Sequence, residues 1–177
     1  MFKTRLISGI ILVAIALATI ISGNWILFFT MLCVSLIGMQ ELYKVMKVRD
    51  DHFTVLEVAG YLGAVFYYMA VRVDFERFGM MAVILGMILI LFVYVFSYPK
   101  YRAEQIMAAF FGQIYVAVML SFIYLTRGLP DGKFLVWLIF LCSWGCDTCA
   151  YCVGMLIGKH KMAPVLSPKK SVEGAVG

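Results

Sequence analysis

The chain has 177 residues, of which 64% are hydrophobic and only 14% charged, with a formal net charge of +5. No soluble fold of this length could hide so many Leu, Ile, Val, Phe and Met side chains. An ordinary globular domain is therefore excluded and a polytopic membrane protein is expected. The basic residues are scattered among short loops and form no continuous patch, so anionic membrane lipids are the expected partner of these loops and nucleic acid is not.

Six apolar stretches follow one another, over residues 6–21, 25–39, 55–71, 78–96, 106–125 and 134–157. The first begins after Lys3 and Arg5 and looks like a signal peptide. Ser22, Gly23 and Asn24 lead straight into a second apolar run, so an uncleaved signal-anchor helix is expected. The first two stretches are short. They read either as two tilted spans or as a re-entrant hairpin, and both readings return the chain to the same side. Residues 41–53 are charged and partly amphipathic, and read as an extension of the second helix into the interface. The last four stretches have the length of a membrane span or close to it. The segment Arg127–Lys133 carries Pro130, Asp131 and Gly132, an ordinary turn. No repeat or linker interrupts residues 1–177, which read as a single integral membrane domain. The fold class is all-α, a helix bundle of about six transmembrane helices with the start of a seventh.

Loop charges orient this bundle. The N-terminus and every second loop hold Lys3, Arg5, Lys44, Lys47, Arg49, Lys100, Arg102, Lys159, Lys161, Lys169 and Lys170, eleven basic residues. The opposite loops hold four, namely Arg72, Arg77, Arg127 and Lys133. The positive-inside rule places the N-terminus and the lysine-rich tail in the cytosol.

Asp147 interrupts the sixth apolar stretch. A carboxylate in a membrane helix is costly and must line a polar cavity, pair with a cation or be protonated. Positions four, seven and eleven further on are Tyr151, Gly154 and Gly158, which share its helix face. Eleven residues of helix span roughly 16 Å at about 1.5 Å per residue, so a continuous helix sets Asp147 well below the surface. The Gly154–Gly158 spacing permits close approach of another helix. Beyond the helix end, Lys159, His160 and Lys161 suit the negative end of the helix dipole. The run from Ser167 through Pro168, Lys169, Lys170 and Ser171 to Glu173 suits an anion, with either Ser167 or Ser171 opening the next helix.

Other residues point less clearly to chemistry. Cys142, Cys146, Cys149 and Cys152 have a spacing reminiscent of an iron–sulfur loop. They wander around an apolar helix, and metal binding and disulfides are not expected of them. His52 and His160 read as solvated loop residues. Gly60 and Gly63 suit close helix contacts and are compatible with a homodimer without defining one.

The tail resembles the central segment of phosphatidate cytidylyltransferases, also called CDP-diacylglycerol synthases. The matching residues are Asp147, Thr148, Ala150, Tyr151, Gly154, Gly158, Lys159, His160, Lys161, Pro164, Ser167 to Lys170, Glu173, Gly174 and Gly177, with Arg127, Gly128, Pro130 and Gly132 upstream. Cys149 stands where the family has glycine and Ser171 where it has threonine. The family's later signature, containing His-Gly-Gly and Asp-Arg-x-Asp, is not in these residues. The chain thus reads as the N-terminal two-thirds of a longer, C-terminally truncated family fold, which alone can be catalytically incomplete.

The resemblance implies a nucleotidyltransferase of phospholipid biosynthesis in a bacterial plasma membrane, with CTP and phosphatidate as substrates and CDP-diacylglycerol and pyrophosphate as products. It implies Mg2+ or another divalent cation held by Asp147, with Asp147, Lys169 and Lys170 catalytic. Ser167, Lys159, Lys161, Glu173 and Tyr151 are then the substrate-binding residues. Competing readings are a CTP-dependent polyprenol or phytol kinase and a transporter subunit using Asp147 as an ion site. The latter would be expected to carry paired charges on several helices.

Overall fold

The computed structural model describes residues 2–48, 53–163 and 167–176, without the side chains of 2–10, Leu12, Pro168 and Lys169. Arg49, His52 and Pro164 therefore lie outside the described residues. The chain divides into two compact units, Met1–Pro130 and Asp131–Gly177. Among the described residues, four helical stretches are long and apolar enough to cross a membrane: Asn24–Val45, Val55–Phe96, Ala103–Gly128 and Gly132–Ile157. The chain is an all-α integral membrane protein, as composition demands.

In the first unit, α1 (Phe2–Ser22) and α2 (Asn24–Val45) meet at a one-residue corner. Gly23 there has φ 62° and ψ −154°, a conformation almost confined to glycine, and Asn24 follows with φ 46°. The corner is held by Arg127, whose Nε donates to the Ile20 carbonyl at 3.0 Å.

Helix α3 (Val55–Phe96) starts with a capping box. The Thr54 hydroxyl accepts from the Glu57 amide at 3.2 Å and the Glu57 carboxylate accepts from the Thr54 amide at 3.3 Å. It holds two of the expected apolar segments, divided at Asp74, whose φ of −166° and ψ of 100° leave the helix. Asp74 Oδ1 then accepts from the Arg77 amide at 3.1 Å and restarts it. The two halves fold back on each other. A Cβ on Gly63 would stand 3.0 Å from Gln113 Oε1, and a Cβ on Gly86 2.6 Å from the same atom. A straight helix would hold those glycines roughly 34 Å apart at about 1.5 Å per residue. The short loop expected between these two segments, with Arg72 and Arg77, is thus one residue wide, because an aspartate cap needs no loop.

The third long stretch comprises α4 (Ala103–Gly112), a π-helical turn over Gln113–Val118, and α5 (Met119–Gly128). Glycines let this stretch approach its neighbours. Tyr43 fills the space that side chains on Gly60 and Gly112 would occupy, and its hydroxyl donates to the Ala109 carbonyl at 2.9 Å. Further in, Ser35 bonds Tyr68 at 2.7 Å and Tyr67 bonds Ser121 at 2.9 Å. These pairings satisfy hydroxyls where water is scarce. Gln113, fully buried between Gly63 and Gly86, has both amide atoms without a partner among the described residues, as do the Tyr101 hydroxyl and Arg72 Nε.

The connections gather alternately at two ends of this unit. Arg127 lies on the α1–α2 corner, and the Arg72 guanidinium sits 4.4 Å from the Trp25 ring, beside that corner and the Asp74 turn. At the other end, Gln105 Nε2 donates to the Lys47 carbonyl at 2.7 Å. Within this unit the Arg72 and Arg127 segments thus lie at one end and the Lys47 and Gln105 segments at the other.

The second unit consists of α6 (Gly132–Ile157), strands β1 (Lys161–Ala163) and β2 (Ser167–Ser171), and the short helix α7 (Val172–Val176). Asp131, with φ 60°, completes the expected turn before α6. The strands are antiparallel, with Lys161 opposite Ser171 and Ala163 opposite Ser167. This hairpin was not expected. Of the two positions considered for the next helix start, Ser171 is the cap, its hydroxyl accepting from the Gly174 amide at 3.2 Å. Ser167 lies in a strand instead, because Pro168 and the two lysines after it take extended backbone once the chain pairs with β1.

Candidate functional site

The face of α6 carrying Asp147, Tyr151 and Gly154 forms one side of the site, as helical spacing predicts, whereas Gly158 lies one residue past the helix in extended backbone and does not line the cavity. Three glycines bring α7 and the end of β2 onto it. A Cβ on Gly174 would lie 2.5 Å from the Ala150 carbonyl oxygen and 3.0 Å from Gly154 Cα. A Cβ on Gly158 would lie 2.6 Å from Ser171 Oγ. Such approach of backbone to backbone needs glycine at these positions.

Between these elements lies a cavity of about 440 Å³. Its polar lining residues are Asp147, Tyr151, Ser167, Lys170 and Ser171. Its apolar wall has Met155 and Met162 with Ala150 and Ala175. An anionic head group with a hydrocarbon body matches both walls. Asp147 itself is exposed along α6 and takes part in no ion pair among the described residues. No cluster of three or more His, Cys, Asp or Glu residues that could hold a metal occurs among the described residues.

The site residues expected from sequence separate into two groups. Asp147, Tyr151, Ser167 and Lys170 share the cavity. Lys159, Lys161 and Glu173 do not line it. The Lys169 side chain is outside the described residues. Lys159 and Lys161 are exposed beyond the end of α6. The Glu173 carboxylate turns back to that end, accepting from the amides of Lys159 at 3.1 Å and His160 at 3.2 Å, and meeting His160 Nδ1 at 2.7 Å. Its own backbone amide first, then the His160 ring, and behind an opposing desolvation the amides of His160 and Lys159, bring its pKa down to about 2. Sequence reasoning missed Met155, Met162 and the pairing of His160, while Ser171, already part of the anion-suited run, also lines the cavity. Met155 is one position beyond Gly154 on the helix. The other two depend on the hairpin, which brings residues about ten apart side by side.

The fold and the cavity define an integral membrane protein with a carboxylate, hydroxyls and a lysine around one amphipathic chamber. The chain belongs to the cytidylyltransferase family, whose profile matches residues 3–177. It is 30% identical over 179 residues to a phosphatidate cytidylyltransferase of Staphylococcus epidermidis, covering 99% of this chain and 66% of that protein. It is 28% identical to the phosphatidate cytidylyltransferases of Staphylococcus aureus and Staphylococcus saprophyticus, with the same coverage. The chain therefore spans slightly under two thirds of the length of these relatives. No solved structure matches it significantly.

Proposed function

We propose that the protein transfers CMP from CTP to phosphatidate, forming CDP-diacylglycerol and pyrophosphate. The observation that carries this reading is the meeting of Asp147, Ser167 and Lys170 on a cavity whose remaining wall is apolar. Family membership and the names of the relatives support it. The site belongs on the cytosolic face of a bacterial plasma membrane, by loop charge, where CTP is available and the lipid lies alongside in the bilayer.

In this reaction a phosphate oxygen of the lipid attacks the α-phosphorus of CTP, a new P–O bond forms, and the bond to pyrophosphate breaks in line. The attacking phosphate is already ionised near neutral pH, so no general base is required. The main physical demand is to bring two polyanions together. Lys170 supplies positive charge at the cavity wall, and Lys169 is its partner by sequence pattern. Ser167 and Tyr151 offer hydroxyls to phosphate oxygens, while exposed Lys159 and Lys161 draw the nucleotide to the mouth. Asp147 is the carboxylate that would hold Mg2+. Such ions are commonly bound by one or two carboxylates with substrate phosphates completing the shell, so a single carboxylate beside a hydroxyl fits. When bound, the cation neutralises phosphate charge and polarises the α-phosphorus.

The test is incorporation of label from CTP into lipid by the protein reconstituted in phosphatidate vesicles. Label on the α-phosphate is expected in the lipid product and label on the γ-phosphate is not. Transfer of γ-label would establish a lipid kinase instead. Asp147→Asn is expected to abolish metal-dependent transfer while leaving membrane insertion intact. Wild-type turnover in that variant would remove Asp147 from the site.

A further inference from the structure

We propose that His160 and Glu173 are a positioning pair that closes the mouth of the β1–β2 hairpin and so sets Ser167 and Lys170 on the cavity. The inference rests on the transfer reaction proposed above for the cavity, and assigns these two residues a role without substrate contact.

The chain leaves α6 at Ile157, runs through the hairpin and returns in α7. The two ends of this excursion are joined at one place. The amides of Lys159 and His160 both donate to the Glu173 carboxylate, at 3.1 and 3.2 Å. The Val172 amide donates to the His160 carbonyl at 2.9 Å. His160 Nδ1 lies 2.7 Å from Glu173 Oε1. The carboxylate is thus shared by two backbone amides and a ring nitrogen, all from the stretch just after α6. The His160 side chain is 80% exposed, so burial does not account for its placement.

What lies inside this closure is the phosphate-suited strand. Lys170 precedes Ser171, which stands opposite Lys161 in the ladder and caps α7 through the Gly174 amide. Releasing the His160–Glu173 end would free the segment that fixes where Ser171, Lys170 and Ser167 fall along α6. Partners that orient metal ligands cost about 10–100-fold in activity when removed, and a loss of the same order is expected of a pair that positions Lys170 and Ser167.

The chemistry of the bond supplies the test. The side-chain nitrogen of Asn can take the place of a histidine Nδ1, whereas alanine offers no donor. His160→Ala, His160→Asn and Glu173→Gln are each prepared in the full-length, reconstituted protein. Two readouts are followed: hydrogen exchange over residues 159–174, and kcat and KM for CMP transfer. His160→Ala is expected to speed exchange across the hairpin and to lower kcat about 10–100-fold with a smaller change in KM. His160→Asn is expected to restore both, and Glu173→Gln to resemble His160→Ala. Unchanged exchange in His160→Ala, or failure of His160→Asn to restore protection, overturns the proposal. A role in binding substrate directly is revealed by a KM effect with wild-type exchange, which also overturns it. If the wild-type protein protects the hairpin through this pair yet transfers no CMP, the reaction assignment falls while the exchange data still establish the closure.

Discussion

Substituting Gly174 by alanine tests the site geometry most directly, because the added methyl meets backbone. Its Cβ would lie 2.5 Å from the Ala150 carbonyl oxygen and 3.0 Å from Gly154 Cα. Neither atom can rotate away, and ordinary contact begins at about 3.4 Å, so α7 must lift from α6 by roughly 0.5–1 Å. Overpacking of this kind costs roughly 1–3 kcal/mol. The larger consequence is functional. Ser171 and Lys170 move with α7, and a misplacement of about 1 Å at a reacting site can cost on the order of 100-fold. Gly145 is the matched control: it lies on the same helix, and nothing stands within 4 Å of a Cβ built there. Gly145→Ala should leave transfer unchanged and favour the helix by up to about 1 kcal/mol. The assay is CMP transfer by reconstituted protein, with thermal unfolding in detergent measured alongside. A Gly174→Ala protein with wild-type transfer and wild-type unfolding temperature would refute the close crossing of α6 and α7, and with it the cavity.

Lys170→Gln should raise the KM for CTP or phosphatidate more than it alters unfolding, and the remaining activity should depend less steeply on salt, since a screened attraction has been removed. Gln113→Met should be neutral or stabilising by roughly 1–3 kcal/mol in thermal unfolding, because the amide it replaces is buried with no partner among the described residues. A large loss of stability would mean that the amide is satisfied in the membrane. The Glu173 carboxyl titrates at about 2 in the fold against an ordinary value of 4.5, so its stabilising contribution is complete above about 4.5 and is lost as pH falls toward 2. Hydrogen exchange at Lys159 and His160 should therefore be insensitive to this group near neutral pH, and protection should fall across that acid window. Glu173→Gln should abolish that acid-linked change.

The parts of the fold that sequence made legible are those set by long-range averages. Hydropathy marks the membrane helices because each needs about 20 apolar residues whatever it touches. Helical spacing put Asp147, Tyr151 and Gly154 on one face, and all three line the cavity. Connections were harder. The Gly23 corner and the Asp74 turn each use one residue, and a single aspartate inside an apolar run does not announce that it will cap a helix. The hairpin was hidden for a different reason. Ser167, Lys169 and Lys170 have no strong strand preference, and proline suits a helix start. Extended backbone prevails there through pairing with Lys161–Ala163, a contact that local propensity does not contain. Lysines and a glutamate in this run invited a common role at phosphate, and one-dimensional spacing cannot divide them. Only the return of the chain does so, turning Lys170 toward Asp147's cavity and Glu173 toward His160. Residues from one charged run thus end in two places, Lys170 on the cavity and Glu173 at the end of α6, and the strand that separates them is what the glycines at 154, 158 and 174 leave room for.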